Sequence, residues 1–250
     1  MSGTKSRRDE VESDVVLHAT GAARSETGVT GSVARRKARV ERLVPKRPST
    51  KALLIDAGER LVGRHGPEGV TLREIAALAG QANSNVVQYH FKDKKGLIEA
   101  IFEDRTRRRE KLRLESIEVL KAQGRQNDPR ELLSILWLPT LAFRDEHGEY
   151  AFCRFLLQCW LQPDFVTHDP VQERYEGSVL VEIVKLLRAS HKNVSPDVFS
   201  RRLSALSFMF ISCAVEFNNS RPHRQSDVEF DAGPILDMAV AALSAPAGGV

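Results

Sequence analysis

The segment Asn83-Ser84-Asn85-Val86-Val87-Gln88-Tyr89-His90-Phe91 gathers side chains that donate and accept hydrogen bonds at once. An amide matches the edge of an adenine in a DNA major groove, as arginine matches guanine. A groove about 12 Å wide admits one helix, so this chemistry needs the segment to be helical with its amides facing outward. Val87 and Phe91, four residues apart, supply an anchoring side and leave Asn85 and Gln88 on the other. By itself an amide-rich stretch is more often a plain surface loop, and Tyr89 and His90 also fit satisfied core positions.

The elements that would position this segment are legible on both sides of it. Leu53, Leu54, Ala57, Leu61 and Val62 recur at helical spacing until His65-Gly66-Pro67 stops the run. Thr71-Leu72-Arg73-Glu74 has the spacing of a capping box, and Leu72, Ile75, Ala76 and Ala79 form one face of a short second helix. Gly80 stands where a left-handed helix end favours glycine. Asp93 caps a fourth helix with Leu97, Ile98, Ile101 and Phe102 on its face, running through the basic cluster Arg105 to Lys111. Leu53, Leu61, Leu72 and Ile75 would then receive Val87 and Phe91.

The ordered set Thr71-Leu72-Arg73-Glu74-Ile75-Ala76, Ala79-Gly80, Gln88-Tyr89-His90-Phe91 and Lys94-Lys95-Gly96-Leu97 resembles the DNA-binding domain of the TetR (tetracycline-repressor-type) family over residues 49–104. The stretch Gly80 to Phe91 is one residue longer than the commonest form. The resemblance implies DNA-facing positions at Ser84, Asn85, Val86, Gln88, Tyr89, His90 and Lys94, a base contact at Arg73, and phosphate contacts at Thr71, Lys92 and Lys95. It also implies double-stranded operator DNA and a second copy of the chain as partners.

Charge supports a polyanionic partner. Residues 33–111 carry 19 Lys/Arg against 10 Asp/Glu, and the remainder carries 18 against 23. Gathering cations in one region favours phosphate neutralisation, although a solvated charged surface has the same composition. With 42% hydrophobic residues over 250 positions the chain can bury ordinary cores. The most apolar stretch, around Leu203 to Val215, is interrupted by Ser204, Ser207 and Ser212, so no membrane span is expected. Absence of a secretory pattern and only three cysteines point to a cytoplasmic location. Cys153 and Cys159, six apart, fall on different helix faces, and His168, Asp169 and Glu173 could bind a cation but more readily form a solvated helix start capped by the aspartate, so no metal is expected. No catalytic constellation, cofactor or enzymatic activity is expected.

Beyond residue 125 every segment reads as helical, near 129–145, 148–161, 169–190, 195–218 and 233–244. Asp128-Pro129, Asp169-Pro170 and Ser195-Pro196 mark three starts, and Pro139 should bend or divide the first helix. The expected fold is all-α: a basic disordered arm over 1–47, a three-helix helix-turn-helix domain over 48–106, a helical effector and dimerisation domain over 107–244, and a tail over 245–250. Trp137, Phe143, Phe152, Phe155, Trp160, Phe165 and Tyr175 could line a pocket for a small, apolar ligand or simply form core. Phe199, Leu203, Leu206, Phe210 and Ile211, with Ile235, Leu236, Met238, Ala239 and Leu243, form broad apolar faces where the resemblance implies a dimer seam. The reading is a repressor released from its operator by that ligand. The alternative is an architectural, chromosome-organising DNA-binding protein of the same fold, which a filled C-terminal core would favour.

Overall fold

Ser49, in extended backbone, accepts the Ala52 N–H at 3.2 Å and caps α1, Thr50–His65. A cap of this kind contributes about 1 kcal/mol. The structure, a computed structural model, describes residues 48–145, 147–162, 177–220 and 229–246, and among these every regular element is a helix. The arm, the Asp169-Pro170 start, Phe165, Tyr175, His168 and Glu173 lie outside the described residues.

The capping box forms as the spacing predicts. The Thr71 hydroxyl oxygen accepts the Glu74 N–H at 3.2 Å, the Glu74 carboxylate accepts the Thr71 N–H at 2.8 Å, and α2, Leu72–Leu78, begins there. α3 spans Asn85–Phe91. Asp93 then accepts the Gly96 N–H at 2.8 Å and opens α4, Lys94–Ala122.

α4 runs well past the basic cluster because its second half is buried. Ile117 and Leu120 enter the core, and the buried Arg113 donates to the Leu136 carbonyl at 2.8 Å. The boundary expected at 106/107 therefore falls inside one unbroken helix.

Asp128 caps α5, Pro129–Trp137, through the Arg130 and Glu131 N–H groups. Pro139 divides the segment as expected: α5 stops at Trp137 and a 3₁₀ turn follows over Leu138–Ala142. The remaining helices are α6, Ala151–Trp160; α7, Val179–Ser190; α8, Pro196–Asn219; and α9, Gly233–Ser244.

α1 lies against α6 more extensively than against any other helix, and α6 in turn lies on α8. The crossing is close because Gly63 has no side chain: a Cβ there would meet the Phe155 nitrogen at 3.1 Å and the Ala151 carbonyl oxygen at 3.4 Å. α9 packs on α5 and α8, and α7 packs on α4 and α5. The helix that supports the reading segment is thus seated directly on the C-terminal bundle.

The seam expected at α8 and α9 divides into two faces. Leu206 and Leu236 are 8% and 3% exposed, inside the core of their own chain, together with Phe199, Leu203, Phe210, Ile211, Ala239 and Leu243. The outward apolar side carries Phe208 on α8 and Met238 on α9, 41% and 50% exposed. α8 is also, among the described residues, the one helix long and apolar enough to cross a membrane by length and composition. Its inner face is committed to α6 and α9.

Candidate nucleic-acid interface

The sequence of α3 segregates as the anchor argument requires. Val87 and Phe91 are 0% and 5% exposed, while Asn85 and Gln88 lie in solvent. Ile75 is fully buried below them, and Leu53, Leu61 and Leu72 are half-buried against the same core. Tyr89 is 84% exposed, which excludes the core role for its ring. His90 is half-buried, its ring 5.1 Å from Tyr89 in an edge-on arrangement and 5.9 Å from Phe91. Ser84 and Val86 are half-buried. Asn83 accepts the Asn85 N–H at 2.8 Å, so the first turn is fixed by an asparagine side chain and not by Ser84.

Gly80 takes φ +70° and turns the chain between α2 and α3. At the far end of α3 the chain makes a tighter bend. Lys92 has φ 69° and ψ −57°, and the Asp93 N–H bonds the Phe91 carbonyl at 2.9 Å. That is a γ-turn of the rare, strained hand, costing on the order of 1–3 kcal/mol in a non-glycine residue. Gly96 lets it form, since a Cβ there would meet the Phe91 carbonyl oxygen at 2.0 Å. The bend holds Lys92 outward, beside exposed Lys95.

Two of the cations and hydroxyls assigned to DNA are engaged within the protein. The Lys94 ammonium donates to the Pro67 carbonyl at 2.7 Å, tying the start of α4 to the loop before α2. Thr71 donates its hydroxyl proton to Glu74 at 2.7 Å, and this bonding holds the Glu74 carboxyl below its usual range. Arg73 is exposed on α2. Of the lysines that the resemblance assigns to DNA, Lys92 and Lys95 are the two exposed to solvent.

Behind the reading unit lies a buried ionic cluster that no sequence pattern announced. Arg105 on α4, 4% exposed, donates Nε to Glu59 at 2.6 Å, Nη1 to Asp104 at 2.8 Å and Nη2 to Asp56 at 2.7 Å. Its guanidinium also lies 5.1 Å from the Phe143 ring centroid. Burial pushes the Glu59 carboxyl up to about 7, with Arg105 pulling against it. Burial acts against the Arg105 charge too, but its carboxylate partners outweigh that and hold it firmly protonated. Two of these partners, Glu59 and Asp56, are 46 and 49 residues from Arg105 in the chain, beyond the reach of any local pattern.

The aromatic set is mostly packed upon itself. Phe152 and Phe155 are fully buried and stacked at 5.8 Å, Trp137 stacks on Phe210 at 5.2 Å, and Trp160 stacks on Phe208 at 6.0 Å. Phe143 borders open space, a cleft of about 570 Å³ between α1, the end of α2, α4 and residues 142–145. Cys153 and Cys159 are buried in α6, their thiols pushed up to about 12 by that burial. Among the described residues no cluster of His, Cys, Asp or Glu has a metal-binding arrangement.

A helix with a buried apolar side and an outward amide side, set after a glycine turn on two supporting helices, is a helix-turn-helix. Residues 54–101 match the model of the bacterial regulatory proteins of the tetR family. Residues 54–101 are thus a TetR-type DNA-binding domain. A chain with this domain is a DNA-binding transcriptional regulator, and α1 to α3 with the first turns of α4 are its DNA-binding part. A solved structure described as "Molecular basis for control of antibiotic production by a bacterial hormones" is similar at 17% identity. It covers 79% of this chain and 98% of its own, with a TM-score of 0.48. No curated protein matches the chain.

Proposed function

We propose that this chain is a homodimeric TetR-family repressor whose reading helix binds operator DNA and is released when the C-terminal bundle takes up a small molecule. The observation that carries the reading is the seating of α1 on α6 at Gly63, because a shift of the bundle then reaches α3 through α1 and the helices packed on both, α2 and α4. Asn85, Gln88 and Arg73 read base edges, with Ser84, Val86, Tyr89 and His90 beside them, and Lys92 and Lys95 hold phosphates. Lys94 and Thr71 serve the DNA indirectly, Lys94 by fixing the loop before α2 and Thr71 by fixing the start of α2.

The dimer forms through the outward faces of α8 and α9, around Phe208 and Met238. Two reading helices are then held about 34–36 Å apart, matching half-sites one helical turn apart. A ligand entering among Trp137, Phe143, Phe152, Phe155 and Trp160 has to open rings that now cover one another. The burial of Trp137, Phe152 and Phe155 favours the architectural alternative, which has no need of a ligand.

The experiment selects binding sites from a random duplex library and titrates the preferred palindrome against an unrelated duplex at fixed salt. Gln88→Ala should lose preference by about 1–3 kcal/mol at one base position, whereas Lys95→Ala should weaken both duplexes alike and lower the salt slope by about one unit. Equal loss on both duplexes from both variants overturns the division of roles.

A further inference from the structure

The cleft beside Phe143 lies outside the packed aromatic set, and its walls are of two kinds. Leu53, Leu78, Ala79, Ala142, Phe143 and Ala151 form an apolar side. Leu78 is 44% exposed there, a large aliphatic side chain left in water beside the turn that positions the reading helix. The other side is ionic, with Asp56, Glu59, Arg60, Arg105, Arg108, Arg144 and Asp145.

The acidic groups of this wall are answered from within the protein. Asp56 and Glu59 accept from Arg105. Asp145 accepts the His147 and Glu149 N–H groups at 2.9 and 3.0 Å and faces Arg64 at 3.8 Å. Two of the arginines, Arg108 and Arg144, are less fully used. Arg108 meets Asp104 through Nε at 2.9 Å, and Arg144 bonds Tyr150 and Glu229 through Nη2. Among the described residues this leaves the terminal nitrogens of Arg108 and the Nη1 of Arg144 as donors at the cleft. A volume of about 570 Å³ is that of a small-molecule site.

We propose that this cleft is a ligand site for a small amphipathic anion, with a carboxylate or phosphate head on Arg108 and Arg144 and an aliphatic or aromatic body against Leu53, Leu78 and Phe143. The anion supplies the acceptors that a guanidinium binds best, and its body covers the exposed leucine. Such a ligand bridges Leu78 and Ala79, at the start of the turn, to residues 142–145 in the C-terminal bundle. It ties the reading helix to that bundle at a second place, apart from the contact at Gly63. That it changes DNA affinity rests on the regulatory reading above. That it binds does not.

The test titrates the full-length protein calorimetrically with octanoate and octyl phosphate, which share the chain and differ in the head, and with octylammonium as the opposite charge. At least one anion should bind saturably, one per chain, and the stronger of the two identifies the head. Arg108→Gln and Leu78→Gln, both at exposed positions and checked for an unchanged thermal midpoint, should each weaken that binding about tenfold. Octylammonium binding as tightly as the anions, or absence of saturable binding by either anion, overturns the proposal. So does binding that survives both substitutions, or that Trp160→Ala abolishes while they leave it intact. Because the readout is binding without DNA, failure here leaves the operator reading untouched, and failure of the operator reading leaves this result standing.

Discussion

Replacing Arg105 by methionine should be the most damaging single change near the DNA-binding part, and its cost should depend on pH. Arg105 is the common partner of Glu59 and Asp104, which are 3% and 8% exposed. Methionine fills similar space but leaves the buried Glu59 without its cation, while Asp104 keeps Arg107 and Arg108; removing one partner of a buried pair costs about 3–5 kcal/mol. The pH dependence follows from Glu59, whose carboxyl rises from the usual 4.5 to about 7 because of burial. A carboxyl raised in the folded state binds its proton more tightly there than in the unfolded chain. Its contribution to stability is therefore full below about 4.5 and is lost as pH climbs through about 7. A rise of that size corresponds to roughly 3 kcal/mol between the two limits.

Urea unfolding of the intact protein, at fixed protomer concentration and at pH 5 and pH 8, reads both effects. The parent protein should be less stable at pH 8, and Glu59→Gln should remove most of that difference. Arg105→Met should cost less at pH 5 than at pH 8 by ~1 kcal/mol or more, because a protonated Glu59 no longer needs the guanidinium. A cost below ~1 kcal/mol at pH 8, or one that does not change with pH, would show that the cluster is solvated and not the buried ionic tie described above.

Two further substitutions test the architecture. Met238→Glu, on the outward face of α9, should yield a folded monomer in sedimentation that keeps weak DNA binding and loses preference for a palindrome, whereas Leu206→Glu should unfold the chain by placing a charge in its own core. A dimeric Met238→Glu protein places the interface elsewhere. Gly63→Val should lower the thermal midpoint by the equivalent of about 1–3 kcal/mol, since its Cβ already meets the Phe155 backbone at 3.1 Å. Its operator affinity should change as well, and unaltered affinity in a destabilised protein would mean that α1 and α6 are not coupled.

The reading unit was legible because every part of it is local. The capping box needs residues three apart, the anchor of α3 needs residues four apart, and Gly80 needs only its neighbours. The same holds for Pro139, whose missing donor ends α5 wherever the rest of the chain goes. What local pattern missed depends on distant partners. Lys94 reads as one more cation beside DNA until the Pro67 carbonyl, 27 residues away, is found at 2.7 Å. The length of α4 was underestimated because Arg113 looks like a solvent residue until the Leu136 carbonyl receives it.

The division of α8 and α9 into inner and outer faces shows the same limit in apolar residues. Both helices are apolar around much of their circumference, so periodicity proposes a seam without saying which side meets the chain itself and which meets a partner. That choice is made by α5 and α6, which supply the opposing surfaces. Trp137, at the end of α5, stacks on Phe210 and donates its indole N–H to Ser207 at 3.0 Å, which turns Leu203, Leu206 and Phe210 inward. Asp237, one residue from Leu236, receives Arg130 of α5 at 2.6 Å and sets the rotation of α9. With those two contacts made, Phe208 and Met238 have no place left in the chain's own core. Burial of the hydrophobic residues supplies most of the energy, while the stacked ring and the Arg130–Asp237 pair are consistent with the rotation that leaves Phe208 and Met238 outward, where the proposed dimer uses them.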